Sequence, residues 1–224
     1  MVVMKRYNYI TFVIGALPLI IACGASPSFD QNVILYGDNK VVTGNLELAV
    51  FNKKERDDNL EQLLKGITDL KDHEEVAYKA DVSRSIAKTL HSGSIKYSGS
   101  PEEYQIPLDF SKEPLNKYFN ENLELKDNNF QCAIFFLPKI DQNGFYHMDL
   151  QDNYLDITYS YDYQGEDARS VKYDHPIQEL YYHSNAMMFD VSTWKTKVKA
   201  DDEVSKMSNI KLTIAGHVYL NKLK

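Results

Sequence analysis

Chemistry at a protein site needs a nucleophile, an acid–base pair or a ligand set held at a characteristic spacing, and this chain offers few such arrangements. Its six histidines (His73, His91, His147, His175, His183, His217) are scattered, with no two placed three or four residues apart as a helical ligand pair requires. There is no G-x-S-x-G elbow, no phosphate-cradling glycine loop, no H-E-x-x-H and no C-x-x-C. Asp141-Gln-Asn-Gly144 has the composition of a calcium loop. An EF-hand, however, needs glycine at its sixth position and glutamate at its twelfth, whereas here glycine comes fourth and Asp152 stands twelfth. A hairpin turn is the reading that remains. No catalytic residue, metal ligand or cofactor site is therefore expected. Were the chain a hydrolase after all, His147, His175 and His183 would be the first residues to replace.

The tyrosines give the one compositional hint of a binding surface. Of 16, a group lies at Tyr154, Tyr159, Tyr161, Tyr163 and Tyr173, followed by Tyr181 and Tyr182. Tyrosine suits interfaces because it presents apolar area with few rotatable bonds and a polar tip. Tyr161, Tyr163, Tyr181 and Tyr182 are accordingly the candidate partner-binding residues. The competing reading is a core-facing stripe, which the alternation favours for Tyr159; Tyr163, beside the turn at Gly165, is freer to face solvent.

At the N-terminus Lys5 and Arg6 precede an apolar run from Ile10 to Ala22. The run is shorter than the roughly 20 residues a membrane span needs, and it fits the apolar part of a cleaved export signal. It ends in Leu19-Ile20-Ile21-Ala22-Cys23, followed by Gly24. This resembles the lipobox of bacterial lipoproteins. The resemblance covers about the first 24 residues and implies that the signal is cut after Ala22, that the Cys23 thiol carries a diacylglyceryl group, and that the new amine is acylated. Two or more chains anchor stably, since each buried methylene contributes about 0.8 kcal/mol. In the Gram-negative families that this motif resembles, Gly24 in place of aspartate permits transfer to the outer membrane, so the expected address is that membrane, facing the periplasm.

Removing residues 1–22 leaves 202 residues and takes away Lys5 and Arg6 but no acid, so the formal charge moves from −7 to −9. Such a balance argues against nucleic acid or anionic lipid headgroups as partners and is compatible with a basic protein. With Cys23 lipidated, Cys132 has no partner for a disulfide. It sits in Phe130-Gln-Cys-Ala-Ile-Phe-Phe-Leu137, apolar on both faces, which predicts a buried central strand with the thiol as a small core group.

The elements follow from periodicity. A hairpin is expected over Val33–Val42 around Gly37-Asp-Asn39, then a half-buried strand over Leu46–Phe51. Leu60, Leu63, Leu64, Ile67 and Leu70 form one helical stripe, with Asp58 and Glu61 as its capping box. Further helices are expected over Val82–His91, closed by Gly93, and over Glu113–Asn122 with Leu115, Tyr118 and Phe119 inward. Ser92-Gly-Ser94 and Ser98–Pro101 read as loops. Strands follow from Phe130, clearest over Leu155–Tyr163 and Ile210–Leu220, with Gln151-Asp-Asn153 as a turn and Met187–Val198 as a strand holding Trp194. The fold class is α+β: a β-rich antiparallel sheet or sandwich with two to three helices inserted after the first strands. The expected organisation is a signal peptide (1–22), a short lipidated tether (23–31) and one globular domain (32–224). The function that fits is a non-enzymatic, membrane-anchored envelope protein that binds another protein, with an immunity or inhibitor role against a periplasmic toxin or hydrolase as the sharper form. The alternatives are an assembly lipoprotein of a secretion or surface complex, and an envelope hydrolase.

Overall fold

A computed structural model describes residues 33–37, 40–42, 44–95, 104–140, 144–148, 154–172, 180–192 and 198–223. The expected export signal, Cys23 and tether, the loop expected at Ser98–Pro101, the turns expected at Asp141–Asn143 and Gln151–Asn153, Tyr173, His175 and Trp194 lie outside them.

The last strand is the spine. Strand β12 (Met207–Lys222) runs for 16 residues and collects partners along both sides. One side pairs with β8 (Tyr154–Tyr163) and then β7 (Tyr146–Met148); the other pairs with β5 (Tyr104–Pro107) and then β1 (Val33–Gly37). All these pairings are antiparallel except that of β1, which lies parallel to β12 with Val33 opposite Gly216. β2 (Lys40–Val42) completes the predicted hairpin with β1, β9 (Glu166–Lys172) pairs with β8, and β10 (Tyr181–Tyr182) pairs with β7. The β8–β9 turn has Gln164 and Gly165 both at positive φ, 54° and 80°, the geometry whose twist matches a two-residue hairpin.

A second sheet has the order β11-β6-β3-β4, formed by β11 (Met187–Asp190), β6 (Phe130–Pro138), β3 (Gly44–Asn52) and β4 (Lys88–Ile95). The two sheets face each other across one core. From the second sheet come Leu46, Leu48, Val50, Ile134, Phe136 and Met187; from the first come Ile157, Tyr159, Leu212, Ile214 and Leu220. Alternation produces this directly, because successive strand residues point to opposite faces. The other face of β3 and β6 carries Ala49, Phe51, Ala133 and Phe135, and helices cover it. Both faces of β6 are thus buried, as its unbroken apolar run requires.

Helix α1 (Lys53–Leu64) starts earlier than its apolar stripe predicts. Its cap is Asn52, whose side chain accepts from the Glu55 amide at 3.0 Å. Asp58 therefore lies inside the helix, paired with Lys54, and the predicted capping box does not form. Gly66, at φ 100°, takes the left-handed turn just beyond the helix. The helix ends at Leu64, so Ile67 and Leu70 of the predicted stripe lie beyond it; of the five only Leu60 is buried, and Leu63 and Ile67 are exposed.

Helix α2 (Asp72–Ile86) replaces the shorter helix expected over Val82–His91. Its buried face is made of Ala77, Ala80, Val82 and Ser83, too small for a strong apolar period. Leu90 and His91 belong instead to β4, as does Ser92-Gly-Ser94, which the sequence reads as a loop. Over Glu113–Asn122 only one turn is helical, α3 (Leu115–Tyr118), although Leu115 and Phe119 are buried as expected. The strand expected over Met187–Val198 ends at Asp190.

Candidate functional site

Three regions gather the side chains capable of chemistry or recognition. The first is the tyrosine-rich end of β8. Ile157, Tyr159, Tyr161 and Tyr163 are all buried, 1–8% exposed, so they form the core-facing stripe and not a tyrosine surface. Their hydroxyls still have work. The Tyr161 hydroxyl donates to Asp202 Oδ2 at 2.7 Å and accepts from the Lys199 amide at 3.1 Å. The Tyr163 hydroxyl accepts from the Glu203 amide at 3.4 Å, and Arg169 lies 4.4 Å above its ring. Arg169 also pairs with Asp202, whose side chain is only 3% exposed. Burial, with the Asp202 carboxylate beside it, pushes the Tyr161 hydroxyl above its ordinary range. These residues clamp the segment ahead of β12 onto the β8–β9 hairpin.

Tyr182 is likewise buried, and Tyr181 is half-buried. Of the four tyrosines singled out as partner-binding, then, three are in the core and one is partly covered. An exposed tyrosine tip needs a position off the alternating stripe; Tyr161 and Tyr163 are on it.

The second region joins α2 to the segment between β10 and β11. Asp81 Oδ2 lies 2.9 Å from His183 Nδ1 and accepts from the Ser184 hydroxyl at 2.8 Å, while Oδ1 accepts from the Asn185 amide at 2.8 Å. Around it the rings of Phe145 and His183 stack at 4.6 Å, Tyr78 meets His183 at 4.9 Å, and His147 stacks on Tyr181 at 4.9 Å. Asp, His and Ser side by side invite comparison with a hydrolytic triad. The geometry differs: the serine hydroxyl bonds the carboxylate, so the imidazole is not placed to take its proton. His147 and His183 are thus brought to one aromatic cluster, as parts of a latch between elements.

The third region is a groove of about 630 Å³ between Pro107–Ser111 and Val204–Ile210, with Leu123 and Glu121 on its wall. It is lined mainly by apolar side chains. Asp109 on its rim is held down to about 2 by Lys112 and the Ser111 hydroxyl, so it stays ionised and occupied. Among the described residues no three of His, Cys, Asp and Glu converge as a metal centre.

Cys132 is fully buried in β6, as the apolar run around it predicts. Burial, and then the charge of Asp190, push its thiol well above the usual range. Since the thiolate is the reactive form, a small maleimide is expected to leave Cys132 untouched in the native protein and to label it on unfolding. Intact-mass measurement across a denaturant series checks this, and rapid labelling without denaturant would contradict the assigned burial.

The geometry defines a two-sheet α+β sandwich with a helical cover on one outer face. Comparison with known proteins finds no family model, no curated protein and no solved structure that matches the chain.

Proposed function

We propose that the chain is a lipid-anchored protein of the bacterial cell envelope that acts by binding another protein. Its sharper form is an immunity-type protein that neutralises a toxin or hydrolase reaching the periplasm. The anchor rests on the lipobox-like Leu19–Cys23 behind a basic and apolar leader, with Gly24 supporting an outer-membrane address. For the binding half, one observation carries the reading: the ionisable clusters of the described residues are used to join elements. Asp81 fastens α2 to the 183–186 segment, and Asp202 fastens the chain before β12 to β8 and β9. Glu47 on β3 faces Arg84 of α2 at 2.6 Å, and buried Arg56 donates to Gln131, which in turn donates to Asp190. An acid or base already committed to two or three such partners is poorly placed to exchange protons with a substrate.

The anchor is tested by intact-mass spectrometry of the membrane fraction. The mature chain should begin at Cys23 and carry at least a diacylglyceryl mass, and Cys23→Ser should leave an unprocessed, unlipidated chain. A wild-type product cut elsewhere and recovered unmodified would overturn it. The binding half is tested by capture on the mature chain, tagged at its C-terminus, from envelope and secreted fractions. One soluble basic protein retained at stoichiometric amount, and neutralised by this chain in a toxicity assay, is the expected outcome. Retention of several membrane-complex subunits would favour an assembly role, and no retention at low or high salt would sink the binding reading.

A further inference from the structure

The end of α1 and the segment after it leave aliphatic side chains outside the core. Leu63 is 45% exposed, Ile67 40% and Val76 43%, and these are the exposed large hydrophobics among the described residues. All three fall within 14 residues on one helical hairpin, formed by the end of α1, the turn through Gly66 and the start of α2, with Leu64 and Leu70 half-buried beside them in sequence. A single exposed aliphatic residue is ordinary; the gathering of all of them on one hairpin is not what the rest of the surface does. Leu60, Leu63 and Leu64 have the spacing of a core-facing helical stripe, which Ile67 extends in sequence just past the helix end. Only its first member, Leu60, is used.

The charges around it define the occupant. Between residues 61 and 76 there are five acids (Glu61, Asp69, Asp72, Glu74, Glu75) against Lys65 and Lys71. A second copy of the chain would set like charge against like, and an anionic lipid surface would be repelled in the same way. We propose that the α1–α2 hairpin is a docking surface for a protein segment that presents aliphatic side chains flanked by lysine or arginine. The aliphatic contacts supply burial, and the acidic rim steers and selects a basic partner. This rests on the binding reading above and adds the place and the chemistry of the contact.

The test uses the full chain in its own cells, with a benzophenone amino acid placed singly at positions 63, 67 and 76, and at 121 and 209 by the groove. After irradiation, adducts are sized and mapped by mass spectrometry. The expected result is a protein adduct at the three hairpin positions, mapping to a partner segment with lysine or arginine beside aliphatic residues. Reversing Glu61, Asp69 and Glu75 to lysine should lower its yield about tenfold, the scale on which charge steering changes encounter. Leu63→Ser with Ile67→Ser should abolish it while leaving the unfolding midpoint unchanged, which separates lost contact from lost fold. Lipid adducts, adducts at twice the chain mass, or hairpin yields no higher than those at 121 and 209 would overturn the surface assigned here. If only the groove positions capture a protein, this surface is wrong and the binding reading stands; if no position captures one, the binding reading falls with it.

Discussion

Replacing Phe136 by alanine is expected to lower the stability of the protein by about 3–5 kcal/mol, the range for deleting a buried aromatic ring from a packed core. Phe136 is fully buried on β6, with Leu46 of β3 and Met187 of β11 opposite it on the two sides. It belongs to the cluster to which both sheets contribute, so the cavity would open between the sheets and not at a margin. Domains of this kind are stable by about 5–15 kcal/mol in total, so the loss is about a fifth or more of what holds the fold. The thermal midpoint should drop by roughly 10 °C. Phe136→Leu, which refills most of the volume, should cost under about 1.5 kcal/mol. Equilibrium denaturation followed by tyrosine fluorescence and by far-ultraviolet dichroism checks both. The transitions should coincide and move together, because a shared core makes the two sheets one cooperative unit. If the mutation split the transition, the sheets would be separate units and the reading of a common core would be wrong.

The strands that build this core were legible for a plain reason. Leu46, Leu48 and Val50 alternate with Glu47 and Ala49, and Ile157 to Tyr163 alternate with polar residues, which is the period a two-faced strand imposes. The same period favours the core for Tyr159, but Tyr161 and Tyr163, offered as partner-binding residues, lie buried on the same stripe. What it could not show is what their hydroxyls reach, since Asp202 and Lys199 lie about 40 residues away in the chain.

The helices were harder. Helix α2 buries alanine and serine against the sheet, and small side chains leave almost no apolar moment for a sequence reading to detect. Gly93 resembles a helix stop signal and so places Leu90 and His91 in a helix, whereas the glycine lies within β4. In α1 the predicted stripe holds only as far as Leu64, where the helix ends, and of its members only Leu60 is buried. Periodicity fixes which side chains share a helical face, but not where the helix ends or what that face packs against. The parallel pairing of β1 with β12 was equally invisible, because it joins the two ends of the described chain, with Val33 opposite Gly216.

Asp81 is the clearest case of a residue that sequence reading passes over and the fold depends on, and Asp81→Ala is expected to cost about 3 kcal/mol. The carboxylate, 12% exposed, accepts from the Ser184 hydroxyl and the Asn185 amide, and His183 Nδ1 stands 2.9 Å away. The Ala186 amide points to Oδ1, the oxygen that accepts from Asn185, at 3.4 Å, and Ala186 is fully buried. Alanine at 81 would leave these donors facing a gap, and an unmet buried donor costs more than the bond it lost was worth. Asp81→Asn keeps one acceptor for the amides but turns a donor toward Ser184 and His183, so it should recover about half of the loss. His183→Ala should cost only about 1 kcal/mol, because the carboxylate still holds the backbone amides. The double replacement should then cost little more than Asp81→Ala alone, a coupling of about 1 kcal/mol within one network. Hydrogen exchange should place the effect: amides of α2 and of residues 185–186 should lose protection first, and those of β6 should follow only with global unfolding. Should Asp81→Ala cost no more than an ordinary surface change, about 0.5 kcal/mol, the latch is decorative and α2 is held by its alanine face alone.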